Sequence, residues 1–364
     1  MTTLSKQPYS TPPFGGQGGL DKFFHQPIAD GFLDVNFDTS TAVISSVELM
    51  KADNSENRYL LSPFLPKVGC GVLAGKPDIG KSQLARQLAI AVATGANHFL
   101  DFALTPVHGR ALYIATEDDQ ANSSYLCGQQ LKGMKRFANA NLSFVFANVF
   151  SQHEILLALD RHLTDTPCDL VLVDSFGDIF IGNDGNNNQA MRKNVKSFQY
   201  FANKHQCLIL FLHHINKASY RLAPSQEGIM GGAGLIQKVR TALQLSQTDD
   251  GTKYLTCVKG NYVPHQYKQN SMELAFDEKH FVFTRTGKEI PREMFEAVNQ
   301  TQTQMQKLQE IADEVFGKEP ATYKAFCQKH HEITGKGLSS AKRDHKMMKE
   351  LEIIEREGKK WKLI

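Results

Sequence analysis

The octapeptide Gly75-Lys76-Pro77-Asp78-Ile79-Gly80-Lys81-Ser82 closes the apolar run GCGVLAG and opens the amphipathic segment GKSQLARQLAIAVATG. It satisfies G-x-x-x-x-G-K-[ST] in the setting that gives this pattern its meaning, strand before and helix after. Gly75 and Gly80 let the backbone turn tightly enough for its N–H groups to ring a phosphate, and the following helix adds the positive end of its dipole. Lys81 is placed to neutralise the β- and γ-phosphates, and Ser82 to offer a hydroxyl to Mg²⁺. With Gln83, these residues form the expected binding segment for ATP and Mg²⁺.

The surrounding chain repeats that alternation. Strand-like runs (RALYIAT, LSFVFA, DLVLVDS, CLILFLHH) are separated by helical segments (HEILLALDRHL, MRKNVKSFQYFANKH). Continuous Val/Leu/Ile strands flanked by helices predict an α/β fold with a mostly parallel sheet covered on both faces. TALQLSQ, KYLTCVKG, SMELAFD and HFVFTRTG follow without helices between them, which predicts an antiparallel or mixed extension.

At 364 residues the chain has room for one large core and a smaller appendage. We expect a Pro/Gly-rich disordered tail over 1–20, a lead-in over 21–66, a core over 67–290, a linker over 291–304 and a small domain over 305–364. No apolar run reaches the length of a bilayer span, and the N-terminus lacks the h-region of a secretory signal. The six cysteines form no CxxC pair and read as reduced, buried residues of a cytoplasmic protein. Residues 301–364 carry 13 Lys+Arg against 10 Asp+Glu, which accounts for the whole net charge of +3.

Hydrolysis at such a loop needs one carboxylate beside the metal and another to orient water. Asp174 closes the run DLVLVD and suits the metal shell together with Ser82. Glu117 closes ALYIATE and suits the water, with Asp118 and Asp119 as substitutes. Both acids stand at C-terminal strand ends, where open α/β sheets bind ligands. His213 and His214 end another buried strand, where one imidazole can sense the γ-phosphate. Alternation along a strand does not say which.

Taken in order, GKPDIGKS, YIATEDD, DLVLVDSFGD, LFLHHINKA and VKGNYVP resemble the RecA-like P-loop ATPases of the RepA type, hexameric replicative helicases of plasmids and mobile elements. The resemblance covers roughly residues 65 to 285. It implies a ring-forming, DNA-acting motor with ATP sites at subunit interfaces, Glu117 as catalytic base and His213 or His214 as sensor. It also implies cations that act on a neighbour's site, Arg240 and Lys259. Here the sequence departs from the family: Met230-Gly-Gly-Ala-Gly234 replaces an Arg-Gly-Ser-like segment, and Lys238 rivals Arg240.

Two long polar loops, 177–189 and 216–232, follow strands that would face a ring centre, and in RecA-like rings such loops hold single-stranded DNA. Lys217, Tyr220 and Arg221 in the second suit phosphate contact and base stacking. In the small domain, an amphipathic helix with Met305, Leu308, Ile311, Ala312, Val315 and Phe316 on one face precedes two shorter helices and a hairpin, the pattern of a winged helix. Lys342, Arg343, Lys346 and Lys349 on its third helix, with Lys359 and Lys360 at the wing, would contact duplex phosphates.

Overall fold

The computed structural model describes residues 45–51, 58–139, 141–147, 150–179, 188–230, 232–317 and 319–364. The expected tail lies outside them, as do residues 21–44 of the lead-in. The chain divides into two units, Met1–Asp53 and Asn54–Ile364. In the first, helix α1 (Ser46–Lys51) starts at Ser45, whose hydroxyl accepts from the Glu48 N–H at 3.2 Å.

In the second unit, β1 (Tyr59–Leu61) and β2 (Leu65–Pro66) form a small hairpin that buries Leu60, Phe64 and Leu65 in the main core. Then come β3 (Gly69–Gly75), α2 (Lys81–Ala93), the short pair β4 (His98–Phe99) and β5 (Phe102–Ala103), β6 (Ala111–Ala115), α3 (Gln120–Gly133), β7 (Leu142–Phe146), α4 (Gln152–Asp165) and β8 (Leu170–Asp174). After these lie α5 (Asn188–Lys204), β9 (Leu208–His214), α6 (Gly232–Lys238), β10 (Thr241–Gln247), β11 (Lys253–Gly260), α7 (Gln266–Gln269), β12 (Asn270–Asp277) and β13 (Val282–Pro291).

Nine strands make one sheet in the order β13-β12-β11-β10-β3-β9-β8-β6-β7. From β7 to β10 every pairing is parallel, and β11 to β13 continue it antiparallel. This is the α/β core with a mostly parallel sheet and a mixed extension expected from the sequence. The inner parallel strands β3, β6, β8 and β9 are buried along nearly their whole length, as continuous apolar runs require, and the edge strand β7 is half-buried. TALQLSQ, read as part of the helix-free extension, is β10, which follows the short α6 and lies parallel to β3 with Leu243 opposite Leu73.

Where a linker was expected over 291–304, the chain instead makes a 3₁₀ turn (Arg292–Met294) and enters the 22-residue helix α8, Phe295–Phe316. Its polar first half carries Gln and Thr in place of an apolar stripe, yet Phe295 and Asn299 are buried there. Two further helices, α9 (Tyr323–Thr334) and α10 (Leu338–Glu350), and a hairpin of β14 (Ile354–Glu357) and β15 (Lys360–Leu363) complete the chain. Their separate core gathers Leu308, Ala312, Val315, Phe316, Phe326 and Met348. Met305, expected on the inward face, is exposed.

Phe326 is fully buried in that small core and stacks on Phe316 with ring centroids 5.7 Å apart. Phe326→Ala is expected to lower the stability of the C-terminal helices by about 3–5 kcal/mol, read from denaturant unfolding of the full chain.

Candidate active site

The C-terminal edge of the parallel strands carries the phosphate loop. Gly75 ends β3 so close to its neighbours that a Cβ would lie 2.7 Å from the Leu245 carbonyl oxygen. Gly80 has φ 105° and packs on Phe283, which a Cβ would meet at 2.7 Å. Larger residues at either position would open the loop. Lys81, buried at 8% exposure, donates to the Lys76 carbonyl oxygen at 2.9 Å, inside the loop rather than toward solvent. Lys253 of β11 braces the loop from outside, donating to the Ile79 carbonyl oxygen at 2.9 Å.

Sheet order brings the other predicted groups to this loop. β9 separates β3 from β8, and His214 pairs in register with Gly75. Asp174, at the end of β8, accepts a hydrogen bond from the Tyr113 hydroxyl, and the Ser82 hydroxyl is near enough to act on its pKa. Burial raises its pKa, against the opposing effect of those two hydroxyls and the nearby Arg86 guanidinium. Glu117 follows β6. Burial and the charges of Asp178 and Asp174 raise its pKa, while Ser175 and Lys81 pull it down. Burial lowers the pKa of Lys81, and Asp174, Glu117 and Asp78 oppose that shift.

The two histidines differ. His213 is buried, contacts the Met230 carbonyl oxygen through Nε2 at 3.1 Å and sits edge-on to Phe176. Burial, with His214 nearby, pushes its pKa down to about 4. His214 is half-buried. Burial and then Lys81 lower its pKa, and Asp178 and Asp174 oppose them. His214 thus feels the charges of the phosphate edge, whereas His213 is held by the loop that follows the strand.

Three contributors were missed in the sequence. Asp178 accepts from Thr116 Oγ1 at 2.6 Å and Ser175 Oγ at 2.8 Å, fixing the turn after Asp174. Arg86 is fully buried on α2, pairs with Asp118 at 3.2 Å and lies 5.5 Å from the Tyr113 ring centroid. Tyr113 holds Asp174 directly. The spacing DSFGD could have marked Asp178, but Arg86 and Tyr113 lie inside helical and strand patterns that read as core. Asp118 is therefore tied to Arg86, and Asp119 caps α3 by accepting from the Asn122 N–H at 2.7 Å.

Arg240 is nowhere near its own phosphate loop. Its N–H donates to the Cys70 carbonyl oxygen at 2.8 Å, and its side chain lies over Gly69. From Gly69 to Gly75 is about 20 Å of strand. Lys259 stands at the same edge, opposite Ala242, and its ammonium closes on the Ile236 carbonyl oxygen of α6. Lys238 is exposed at the end of α6.

The remaining predicted residues lie elsewhere. Lys217 is exposed and Tyr220 half-buried, while Arg221 forms an ion pair with Asp249 at 3.4 Å. Most of the first loop, residues 180–187, lies outside the described residues. Lys342, Arg343, Lys346 and Lys349 are solvent-facing on α10, where Arg343 reaches Asp344 and Lys346 pairs with Glu350. Lys359 and Lys360 are exposed at the hairpin.

Residues 38–220 match the family described as AAA domain. This chain belongs to that family. It is a P-loop ATPase domain protein, and the loop Gly75–Ser82 falls inside the matched residues. The ATPase domain of another protein is among the similar solved structures, at 12% identity, covering 60% of this chain and 84% of that one with a TM-score of 0.47. No curated protein matches the sequence significantly. No helix among the described residues is long and apolar enough to cross a membrane.

The depressed His213 has a consequence for acid stability. Above pH 6.5 neither the folded nor the unfolded chain protonates it. Below 6.5 the unfolded chain takes up a proton that the folded chain refuses until about 4, so stability falls with pH across that window. The contribution at the acid end is on the order of 3 kcal/mol. His213→Gln, which keeps a donor near Met230 but does not titrate, is expected to reduce the loss of unfolding free energy between pH 6.5 and 4, measured by urea denaturation.

Proposed function

We propose that this chain is an ATP-hydrolysing motor that acts on DNA as a homo-oligomeric ring, a hexamer of the replicative helicase type. The observation that carries the reading is the separation of charges on the sheet. Lys81, Glu117, Asp174 and His214 gather at one edge, whereas Arg240 and Lys259 lie at the other, about 20 Å away. Cations so placed cannot stabilise charge on their own nucleotide and suit one bound by a neighbour. That arrangement ties turnover to assembly.

The residues present fit Mg²⁺-ATP, since the Ser82 hydroxyl is near enough to the Asp174 carboxylate to lower its pKa and Lys81 rests on a loop carbonyl it can exchange for phosphate oxygens. Bound Mg²⁺, held by Ser82 and the Asp174 shell, would supply charge neutralisation on the phosphates. Lys81 would bind the β- and γ-oxygens. Glu117, its pKa raised by burial and by two neighbouring carboxylates, would accept the proton of the attacking water. His214 would contact the γ-phosphate, with His213 relaying its position to the following loop. The neighbour's Arg240 and Lys259 would meet the charge of the leaving phosphate, with Lys238 the alternative to Arg240.

Lys217, Tyr220 and Arg221 are the proposed contacts to single-stranded DNA in the channel. We read residues 67–290 as the motor core and residues 305–364 as a winged helix. Lys342, Arg343, Lys346, Lys359 and Lys360 would be its duplex contacts. A second reading, an ATP-dependent DNA-binding switch without unwinding, is favoured by one observation: Arg221 is paired with Asp249 rather than free.

Oligomeric state and ATPase rate, measured with and without single-stranded DNA, decide between them. The motor requires a ring, turnover stimulated by DNA and strand displacement. Lys81→Ala is expected to lower turnover at least about a hundredfold. Arg240→Ala is expected to lower it comparably while leaving nucleotide binding intact. Slow turnover indifferent to single strands would select the switch, and a Lys81→Ala chain with undiminished ATPase would remove both.

A further inference from the structure

The segment between β9 and α6 leaves the sensor strand and returns to it. The Met230 N–H donates to the His214 carbonyl oxygen at 3.0 Å, and the Met230 carbonyl oxygen contacts His213 Nε2 at 3.1 Å. Midway, the first turns of α8 grip it. Asn299, only 3% exposed, donates from Nδ2 to the Arg221 carbonyl oxygen at 3.1 Å and accepts at Oδ1 from the Asp249 N–H at 3.2 Å. One turn earlier, Glu296 accepts from the Ala223 N–H at 3.0 Å. The Arg221–Asp249 ion pair closes the same junction.

A buried asparagine that satisfies both ends of its amide on two separate loops is a specific fastener, because either loop leaving would strand a polar group. The same helix continues to Phe316, into the C-terminal core. A cleft of about 750 Å³, lined by Arg221, Leu222, Asn299, Leu308, Thr334 and Arg343, opens beside the gripped segment and gives it room to move on release.

We propose that Asn299 and Glu296 form a latch that holds the Arg221–Ala223 end of the segment against α8, so that full engagement of single-stranded DNA by Lys217, Tyr220 and Arg221 together requires that end to leave the helix. The inference rests on the reading of this segment as a DNA contact. It adds that the contact is held in reserve. Through Met230, the histidines at the nucleotide edge pull on one end of the segment while α8 holds its middle. Loading of DNA is therefore opposed by the latch and coupled to the C-terminal helices.

The test uses the full-length protein and its Asn299→Ala and Glu296→Ala variants, with Lys217→Ala as the control for binding through the segment. Glu296 is half-buried, so its variant carries the test should Asn299→Ala fail to fold. Trypsin cleavage after Arg221 reads release directly, and anisotropy of a labelled oligothymidylate reads binding. Both latch variants are expected to be cleaved after Arg221 about fivefold faster and to bind the oligonucleotide several-fold more tightly, the scale set by losing one or two hydrogen bonds. Unchanged cleavage overturns the latch. Faster cleavage with unchanged binding, where Lys217→Ala weakens the wild type, overturns its control of DNA. If none of the proteins binds, or Lys217→Ala binds as the wild type does, the DNA role of the segment fails and takes this inference with it.

Discussion

Asp174 holds the site together. β9 lies between the strand that bears it and the strand that feeds the phosphate loop, so the two are about 9–10 Å apart at backbone level. Tyr113 holds the carboxylate from β6, and the Ser82 hydroxyl approaches it from the loop side closely enough to lower its pKa. Behind them the fully buried Arg86, paired with Asp118, supplies positive charge that offsets the cost of keeping a carboxylate out of water. Strand spacing and a few hydroxyls thus bring residues far apart in the chain into one crevice.

The antiparallel strand β11 plays an unexpected part in that geometry. Running opposite to its parallel neighbour, it places Lys253 against the loop carbonyl of Ile79 and Lys259 against the end of α6. Its eight residues span about 25 Å. One strand therefore reaches from the phosphate loop at one edge of the sheet to α6 at the other. Burial lowers the pKa of each lysine, and each ammonium is held in place by the backbone carbonyl it donates to.

The phosphate loop and the strand-end acids were legible because loops and strand termini announce chemistry through residues that a core does not use. Gly75, Lys81, Glu117, Asp174 and the two histidines all stand where an apolar run stops. Tyr113 and Arg86 were hidden by the opposite circumstance, since each sits inside a periodic pattern and its polar tip serves a partner distant in sequence. The polar half of α8 misled for a related reason. Phe295 and Asn299 dock it on the sheet domain, and a lone buried amide leaves no stripe that periodicity could detect. Which of His213 and His214 faces the carboxylates depended on the register of β9 with β3, fixed by pairing and not by composition.

The straddling position of α8 also alters where the catalytic unit ends. A boundary drawn at the close of the sheet, after Pro291, would look natural on a plot of strands and helices. It would leave the Arg221 carbonyl and the Ala223 and Asp249 amides without the partners that Asn299 and Glu296 provide. A chain shortened there would keep the sheet and lose the side chains that hold the 216–232 loop. A fragment that retains those contacts reaches at least to Asn299, in a helix whose far half packs in the C-terminal core.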